Sequence, residues 1–358
     1  MARIELDLAH AYRPNPKQDS DYALLPLKMT FEDGGAYALL GPSGCGKTTL
    51  LNVMSGLLAP SQGSVRFDGR DVTLDSPQAR NIAQVFQFPV IYDTMTVAEN
   101  LAFPLRNRKM PKEQITKRVG EIAEMLEMSG QLNQRAAGLA ADAKQKISLG
   151  RGLVRPDVSA VLFDEPLTVI DPHLKWQLRR KLKQIHQELK LTLIYVTHDQ
   201  IEALTFAEQV VVMTRGRAVQ MGSAADLFER PSHTFVGHFI GSPGMNFLPG
   251  QMDGGQIAVA GFALPLPHGR MLPPGDVKLG VRPEYVALVK AHAPGALQML
   301  VSKVQDVGTH VMLSADLAGH TVKARLPADA ALLSPGDSVW LQVMGEHTCF
   351  YKNEEIVA

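Results

Sequence analysis

Residues 41–49 read "GPSGCGKTT" and fit the pattern G-x-x-x-x-G-K-[ST] through Gly41, Gly46, Lys47 and Thr48. Glycines at these places let main-chain N–H groups close around phosphate oxygens, and the next helix turns its positive end toward them. Pro42, Ser43, Gly44, Cys45 and Thr49 complete the turn. Lys47 would neutralise charge on the β- and γ-phosphates, and the Thr48 hydroxyl would ligate Mg²⁺. The chemistry implied is the binding of ATP with Mg²⁺. A second stretch, "AVLFDEP" (160–166), ends an apolar run in two acids. Asp164 is placed to hold the metal, and Glu165 to polarise an attacking water. In "YVTHDQ" (195–200), His198 lies just past another apolar run. Ligands bind at that end of open α/β sheets, so His198 reads as a γ-phosphate contact. Gln87, in "IAQVFQFP" (82–89), has an amide suited to Mg²⁺ or the attacking water; the alternative is a plain strand-end glutamine. Tyr12 is either an adenine-stacking ring or a surface tyrosine. Cys45 neighbours main-chain amides and Lys47, a setting expected to favour its thiolate.

These groups need a scaffold, and the intervening sequence describes one. "AYALLG" (36–41), "SAVLFD" (159–164) and "LTLIYVTH" (191–198) are short apolar runs suited to strands buried on both faces of a parallel sheet. Between the last two, Leu174, Leu178, Leu182, Ile185 and Leu189 recur at helical spacing behind an Asp171-Pro172 helix start. Strand, helix and strand in succession predict a βαβ unit. From about residue 245 the texture changes to dense Gly and Pro and short alternating runs, "VKLGV" (277–281), "LQMLVSKV" (297–304), "TVKARL" (321–326) and "VWLQV" (339–343). Two "PGD" triplets mark turns. The expectation is an α/β nucleotide-binding domain over 1–240, a boundary in "GSPGMNFLPG" (241–250), and a small β-barrel over 245–358.

Composition narrows the classes. Lys plus Arg and Asp plus Glu number 36 each, which lacks the basic excess of a nucleic-acid binder. Two cysteines far apart, Cys45 and Cys349, suggest a reducing compartment and not a disulfide framework. The first residues, "MARIELDLAHAYRPNP", carry charge where a signal peptide needs an apolar core. No apolar run reaches the length of a membrane span, so membrane work would require docking onto a protein that does span.

The phosphate loop, Gln87, "LFDEP" and His198, in this order, resemble the ATP-binding cassette (ABC) transporter ATPases over essentially the whole chain. "VTHDQIEA" is similar to the carbohydrate importers, and "GVRPEYV" (280–286) looks like a motif of the accessory OB-like β-barrel (TOBE-type) that comes after the ATPase in them. The resemblance implies a P-loop ATPase domain with a helical subdomain at about 88–155. It implies adenine stacking by Tyr12, a link to the membrane subunits through Gln87, and an interface loop at Asp171. It implies further a dimer enclosing two ATP molecules at the cytoplasmic face of the bacterial inner membrane. Its partners would be permease subunits, a second ATPase chain and, indirectly, a solute-binding protein, with no nucleic acid.

One segment departs from that pattern. Where the family has Leu-Ser-Gly-Gly-Gln, this chain has Leu139, Ala140, Ala141, Asp142 and Ala143. In the family the segment opens a helix that holds the γ-phosphate bound to the other subunit. Ala140 lacks the hydroxyl, and Asp142 sets a negative charge where phosphate should sit; alternatively Asp142 caps its helix and faces away. Altered segments of this kind occur in importers that pair two non-identical ATPases, including glycerol-type systems, whose sequence "VFQFPVIYDTMTVAENLAFPL" resembles. The expected function is the energy-coupling ATPase of a carbohydrate or polyol importer. The alternatives are a regulatory subunit that binds ATP with little hydrolysis, and a soluble cassette ATPase of DNA repair or translation.

Overall fold

The computed structural model describes residues 2–168, 170–253, 255–267, 270–330 and 333–357. Its contacts divide the chain into two units, the first ending at Ser223 and the second starting at Ala224.

The first unit opens with β1 (Ile4–His10), β2 (Leu24–Phe31), β3 (Ala36–Leu40) and helix α1 (Lys47–Ser55). Then come β4 (Gln62–Phe67), β5 (Arg70–Asp71), β6 (Ile82–Val85) and the helices α2 (Val97–Asn107), α3 (Lys112–Met125) and α4 (Ala141–Leu153). The unit closes with β7 (Ala160–Asp164), α5 (Pro172–Leu189), β8 (Leu193–Thr197), α6 (Gln200–Phe206), β9 (Gln209–Thr214) and β10 (Arg217–Gly222). Five strands run parallel in the order β9-β3-β8-β7-β6, and β10 adds antiparallel to β9.

Every residue of β3 and β8 is buried, which is why these strands read as unbroken apolar runs. Their two faces serve different neighbours. Leu39, Leu162 and Val196 pack with Leu50 and Met54 of α1 and with Leu6 and Phe31 of a four-stranded antiparallel sheet, β2-β1-β4-β5. Val161, Phe163, Leu193 and Tyr195 pack on the other side with Leu101, Ile122, Ile147 and Leu182 from α2, α3, α4 and α5. The helical pattern of 174–189 becomes α5, whose Leu178, Leu182 and Ile185 are buried. Asp171 is its N-cap and accepts a hydrogen bond from the His173 N–H at 2.9 Å.

In the parallel sheet Leu40 lies opposite Thr197, and Asp164 opposite Val196. The turns after β3, β8 and β7 therefore leave from one edge of three adjacent strands, and that edge carries the phosphate loop, Asp164, Glu165 and His198.

The second unit begins with α7 (Ala224–Glu229) and α8 (Thr234–Phe239). Its strands are β11 (Asn246–Asp253), β12 (Gln256–Val259), β13 (Phe262–Pro265), β14 (Gly275–Val281), β15 (Ala287–Val289), β16 (Ala296–Asp306), β17 (His310–Leu317), β18 (His320–Pro327), β19 (Ser338–Gln342), β20 (Cys349–Lys352) and β21 (Glu355–Ile356). They form two antiparallel sheets, β13-β12-β11-β14-β20-β21 and β15-β19-β16-β17-β18. Both contribute to one core, with Leu279 and Phe350 from the first sheet and Leu297, Leu313 and Leu341 from the second.

Arg282, of the "GVRPEYV" stretch, is 1% exposed. Its guanidinium donates to the carbonyls of Phe228 at 2.9 Å, Leu227 at 3.2 Å and Gly237 at 2.9 Å, and to that of Ile240. It also lies 4.4 Å from the Phe228 ring centroid. Helices α7 and α8 are bonded into the second unit this way, and the division falls upstream of the boundary expected near 240.

Candidate active site

The turn between β3 and α1 is built on close approach. A Cβ at Gly41 would come 2.2 Å from the Met213 carbonyl oxygen, and one at Gly46 2.6 Å from that of Ala23. Gly46 also has φ 103° and is the N-cap of α1, a left-handed conformation that favours glycine. No side chain caps α1, so its first amides keep their hydrogen-bonding capacity for a ligand. Lys47 is buried, and its ammonium donates to the carbonyls of Gly41 at 2.8 Å and Pro42 at 3.1 Å. Its charge is thereby fixed inside the turn that Pro42, Ser43, Gly44 and Cys45 form.

At the far end of α1, Arg80 is buried with no carboxylate bonded to it among the described residues. It donates to the carbonyls of Val53 at 2.7 Å, Met54 at 2.9 Å, Thr73 at 2.8 Å and Asp75 at 3.0 Å. A cation on the last carbonyls of a helix complements its dipole, so Arg80 stabilises the C-terminal end of α1.

The Thr48 hydroxyl donates to Asp164 Oδ1 at 3.3 Å across from β7. Burial pushes the Asp164 carboxyl above the ordinary range, the Thr48 bond opposes this, and neighbouring Glu165 adds to it. A hydroxyl beside a carboxylate is a hard-oxygen donor pair that suits Mg²⁺. Among the described residues no three His, Cys, Asp or Glu side chains converge as a self-sufficient metal site, so the nucleotide phosphates would have to supply further ligands.

Glu165 comes directly after Asp164 with φ 46°, its N–H bonded to the Val196 carbonyl at 3.0 Å. Its Oε2 lies 3.1 Å from His198 Nδ1 and accepts from the Thr168 hydroxyl at 3.2 Å. The Glu165 side chain is 19% exposed and that of His198 54%. The carboxylate is thus shielded and oriented while the imidazole remains accessible, an arrangement able to orient a water against a phosphorus atom.

β6 runs parallel to β7 with Val85 opposite Phe163, which brings the half-buried Gln87 out at the same edge as the acid pair. Tyr12 lies ahead of β2, 66% exposed, with its hydroxyl 3.0 Å from Thr49 Oγ1.

One expectation is reversed. Cys45 is 3% exposed, and burial pushes its thiol up; Lys47 and nearby amides pull the other way and lose. Close packing of the turn keeps water from the sulfur, and desolvation penalises a thiolate more than the local positive field rewards it.

The altered segment opens α4. Ala140 is the N-cap with no side-chain hydrogen bond, and Asp142 sits in the first turn, so Asp142 is not the N-cap. Asp142 lines a cleft of about 470 Å³ with Lys146 of α4 and Trp176, Arg180 and Lys181 of α5. Leu139 packs partly buried against the helical core, Ala143 is buried there, and Ala140 and Ala141 are exposed. Sequence reasoning passed over Arg80, Thr168 and His10. The first two act through partners no residue type announces; His10 carried a signal, a ring-bearing polar residue two positions before Tyr12.

A glycine turn holding a buried lysine, a hydroxyl–carboxylate pair and a Glu–His contact gathered at one edge of a parallel sheet match the arrangement of a P-loop nucleotide hydrolase. The comparisons place it more narrowly. Residues 24–168 match the family model described as ABC transporter, 241–286 the MalK OB fold domain and 279–350 the TOBE domain. The chain is 40% identical over 321 residues to the uncharacterized ABC transporter ATP-binding protein y4oS of Sinorhizobium fredii, covering 88% of this chain and 85% of that one. It is 38% identical over 322 residues to the sn-glycerol-3-phosphate import ATP-binding protein UgpC of Escherichia coli K12, covering 89% and 90%. The UgpC protein of Paraburkholderia xenovorans is also 38% identical, over 92% and 93%. Among solved structures, cbiO1 from Clostridium perfringens, part of the ABC transporter complex cbiONQ, superposes with a TM-score of 0.57 at 26% identity, over 63% of this chain and 90% of that one. The protein belongs to the ABC transporter ATP-binding proteins, and it is an ATPase.

Proposed function

We propose that this ATPase is the energy-coupling subunit of an importer for sn-glycerol 3-phosphate or a closely related polyol phosphate. The observation that carries the hydrolytic reading is the Glu165–His198 contact of 3.1 Å beside the Thr48–Asp164 pair. Lys47 and the open amides of α1 bind the triphosphate. Thr48, Asp164 and Gln87 hold Mg²⁺, which when bound neutralises charge on the phosphates. Glu165 accepts the proton of the attacking water, and His198 contacts the γ-phosphate and keeps the carboxylate aimed. The solute is supported by the UgpC relatives alone, since the solute need not touch this chain.

The reading extends to assembly. Among the described residues no helix is long and apolar enough to cross a membrane, and the permease subunits are proposed to dock where Phe86, Phe88, Val90 and Tyr92 are exposed after β6. The chain then sits at the cytoplasmic face of the inner membrane, and its ATP is completed by the α4 segment of a second ATPase subunit, with Asp171 at the shared interface. The departure at Ala140–Asp142 favours a non-identical partner, because each site of a homodimer would carry the acid.

Co-expression with the permease and solute-binding subunits of neighbouring reading frames, in proteoliposomes, tests this. ATP turnover should rise with sn-glycerol 3-phosphate and not with maltose. Turnover that ignores every polyol phosphate overturns the solute. Tight MgATP binding with no turnover in the assembled transporter would instead favour a regulatory subunit.

A further inference from the structure

His10 ends β1 with 5% of its surface exposed, and neither ring nitrogen has a hydrogen-bond partner among the described residues. A buried polar group without a partner calls for an explanation in a native fold. Burial lowers the His10 pKa, which favours the neutral ring.

What it touches is Tyr12. The two ring centroids are 4.8 Å apart and the planes meet at 88°, an edge-to-face contact. Tyr12 is held at its other end by the 3.0 Å contact between its hydroxyl and Thr49 Oγ1 on α1. Its ring is therefore fixed at two points, one of them on the helix that carries Lys47 and Thr48. The His10 backbone is tied to the same place. Its carbonyl accepts from the Ala23 N–H at 2.9 Å, and the Ala23 carbonyl is the group that excludes a side chain at Gly46. A register shift between Leu8 and His10 interrupts the pairing of β1 with β2, and Leu8, Ala9 and His10 are all buried there.

We propose that His10 is a positioning residue that sets the ring plane of Tyr12 and thereby strengthens binding of the nucleotide base without affecting the phosphates. This rests on the reading that Tyr12 stacks on adenine. A buried imidazole in edge-to-face contact with an otherwise exposed ring holds that ring at a defined angle to the phosphate loop. Without it the tyrosine would keep its Thr49 contact and swing about it.

The test compares two ligands of the full-length protein by calorimetry, MgAMP-PNP and magnesium tripolyphosphate, which lacks base and ribose. His10→Leu should weaken MgAMP-PNP about 3–10-fold, the scale of a lost aromatic pair, and tripolyphosphate less than 2-fold. In a Tyr12→Ala background the same change should add less than 2-fold for either ligand. His10→Phe, which keeps a ring, should restore wild-type discrimination. If His10→Leu does not fold, His10→Gln removes the ring while keeping polar atoms and is read in the same way. Equal weakening of both ligands overturns the proposal, since the phosphate loop would then be what His10 supports. So does an unchanged MgAMP-PNP affinity in folded His10→Leu while Tyr12→Ala loses it, or a His10→Phe that behaves like His10→Leu. If Tyr12→Ala leaves the ratio of the two affinities unchanged, the stacking reading itself fails, and that result is distinct from the others.

Discussion

Helices α1 and α4 begin differently. Neither has a side chain capping its first amides. The first turn of α1 contains Lys47, Thr48 and no acid, while that of α4 contains Asp142. An acid there stabilises its own helix by about 0.3–1 kcal/mol through the dipole. It also places a negative charge beside amides that would otherwise attract an anion. The two starts differ in backbone as well as charge, since the N-cap of α1 is left-handed at Gly46 and that of α4 is extended at Ala140. Asp142 borders a cleft with Lys146, Arg180 and Lys181, so its charge has cations of its own chain nearby.

The largest effect expected from testing this contrast is at the hydrolytic group that α1 serves. Glu165→Gln should retain MgATP binding and lose turnover by roughly 10²–10⁴-fold, the range for removing a general base. Phosphate release and equilibrium dialysis measure the two separately, and wild-type turnover in this variant would remove Glu165 from its role.

Rebuilding α4 comes next. Ala140→Ser with Ala141→Gly and Asp142→Gly should raise turnover of the purified chain, by up to about 2–4 kcal/mol of transition-state stabilisation if the segment acts like an oxyanion donor. Asp142→Asn alone isolates the charge. A purified chain that already turns over briskly, and is indifferent to both changes, would place the acid's influence in the α4–α5 cleft and away from phosphate.

Removing the cation from α1 should have a smaller effect, on affinity. Lys47→Ala is expected to cost about 1.5–3 kcal/mol of MgATP binding, roughly 10–150-fold in Kd, as for hydrogen bonds to charged groups. An unchanged Kd would mean that the amides of the turn suffice.

The smallest effect concerns Cys45, where the field of α1 meets burial. Because burial raises its thiol, iodoacetamide should label it more slowly than free cysteine at pH 7. The rate should climb with pH as the thiolate forms, and MgATP should slow it further. Rapid labelling at pH 7 that is lost in Cys45→Ala would show the positive field winning after all.

The order of the chemistry along the chain was legible because it depends on residue types at short range. Glycines that admit a close backbone, an ammonium, a hydroxyl and strand-end acids announce themselves, and strands such as β3 and β8 show as unbroken apolar runs because both faces are covered. Arg80 and Arg282 did not announce themselves, since their acceptors are main-chain carbonyls set by the fold. The Cys45 thiol was misjudged for a related reason. Its charge environment is local and visible, but its burial comes from packing that also brings Met213, far along the chain, against the turn. Composition puts the domain boundary near 240, because α7 and α8 share the texture of the first unit. Their carbonyls nevertheless bond to Arg282 of the second.

That last attachment has a consequence for truncation. A C-terminal module produced alone from residue 241 onward would leave the Arg282 guanidinium without the acceptors of Leu227, Phe228, Gly237 and Ile240. Stranding a buried donor costs about 1–3 kcal/mol, and more when it is charged. An isolated C-terminal fragment starting at Ala224 is therefore expected to be more stable than one starting at 241, which chemical denaturation of the two fragments would measure.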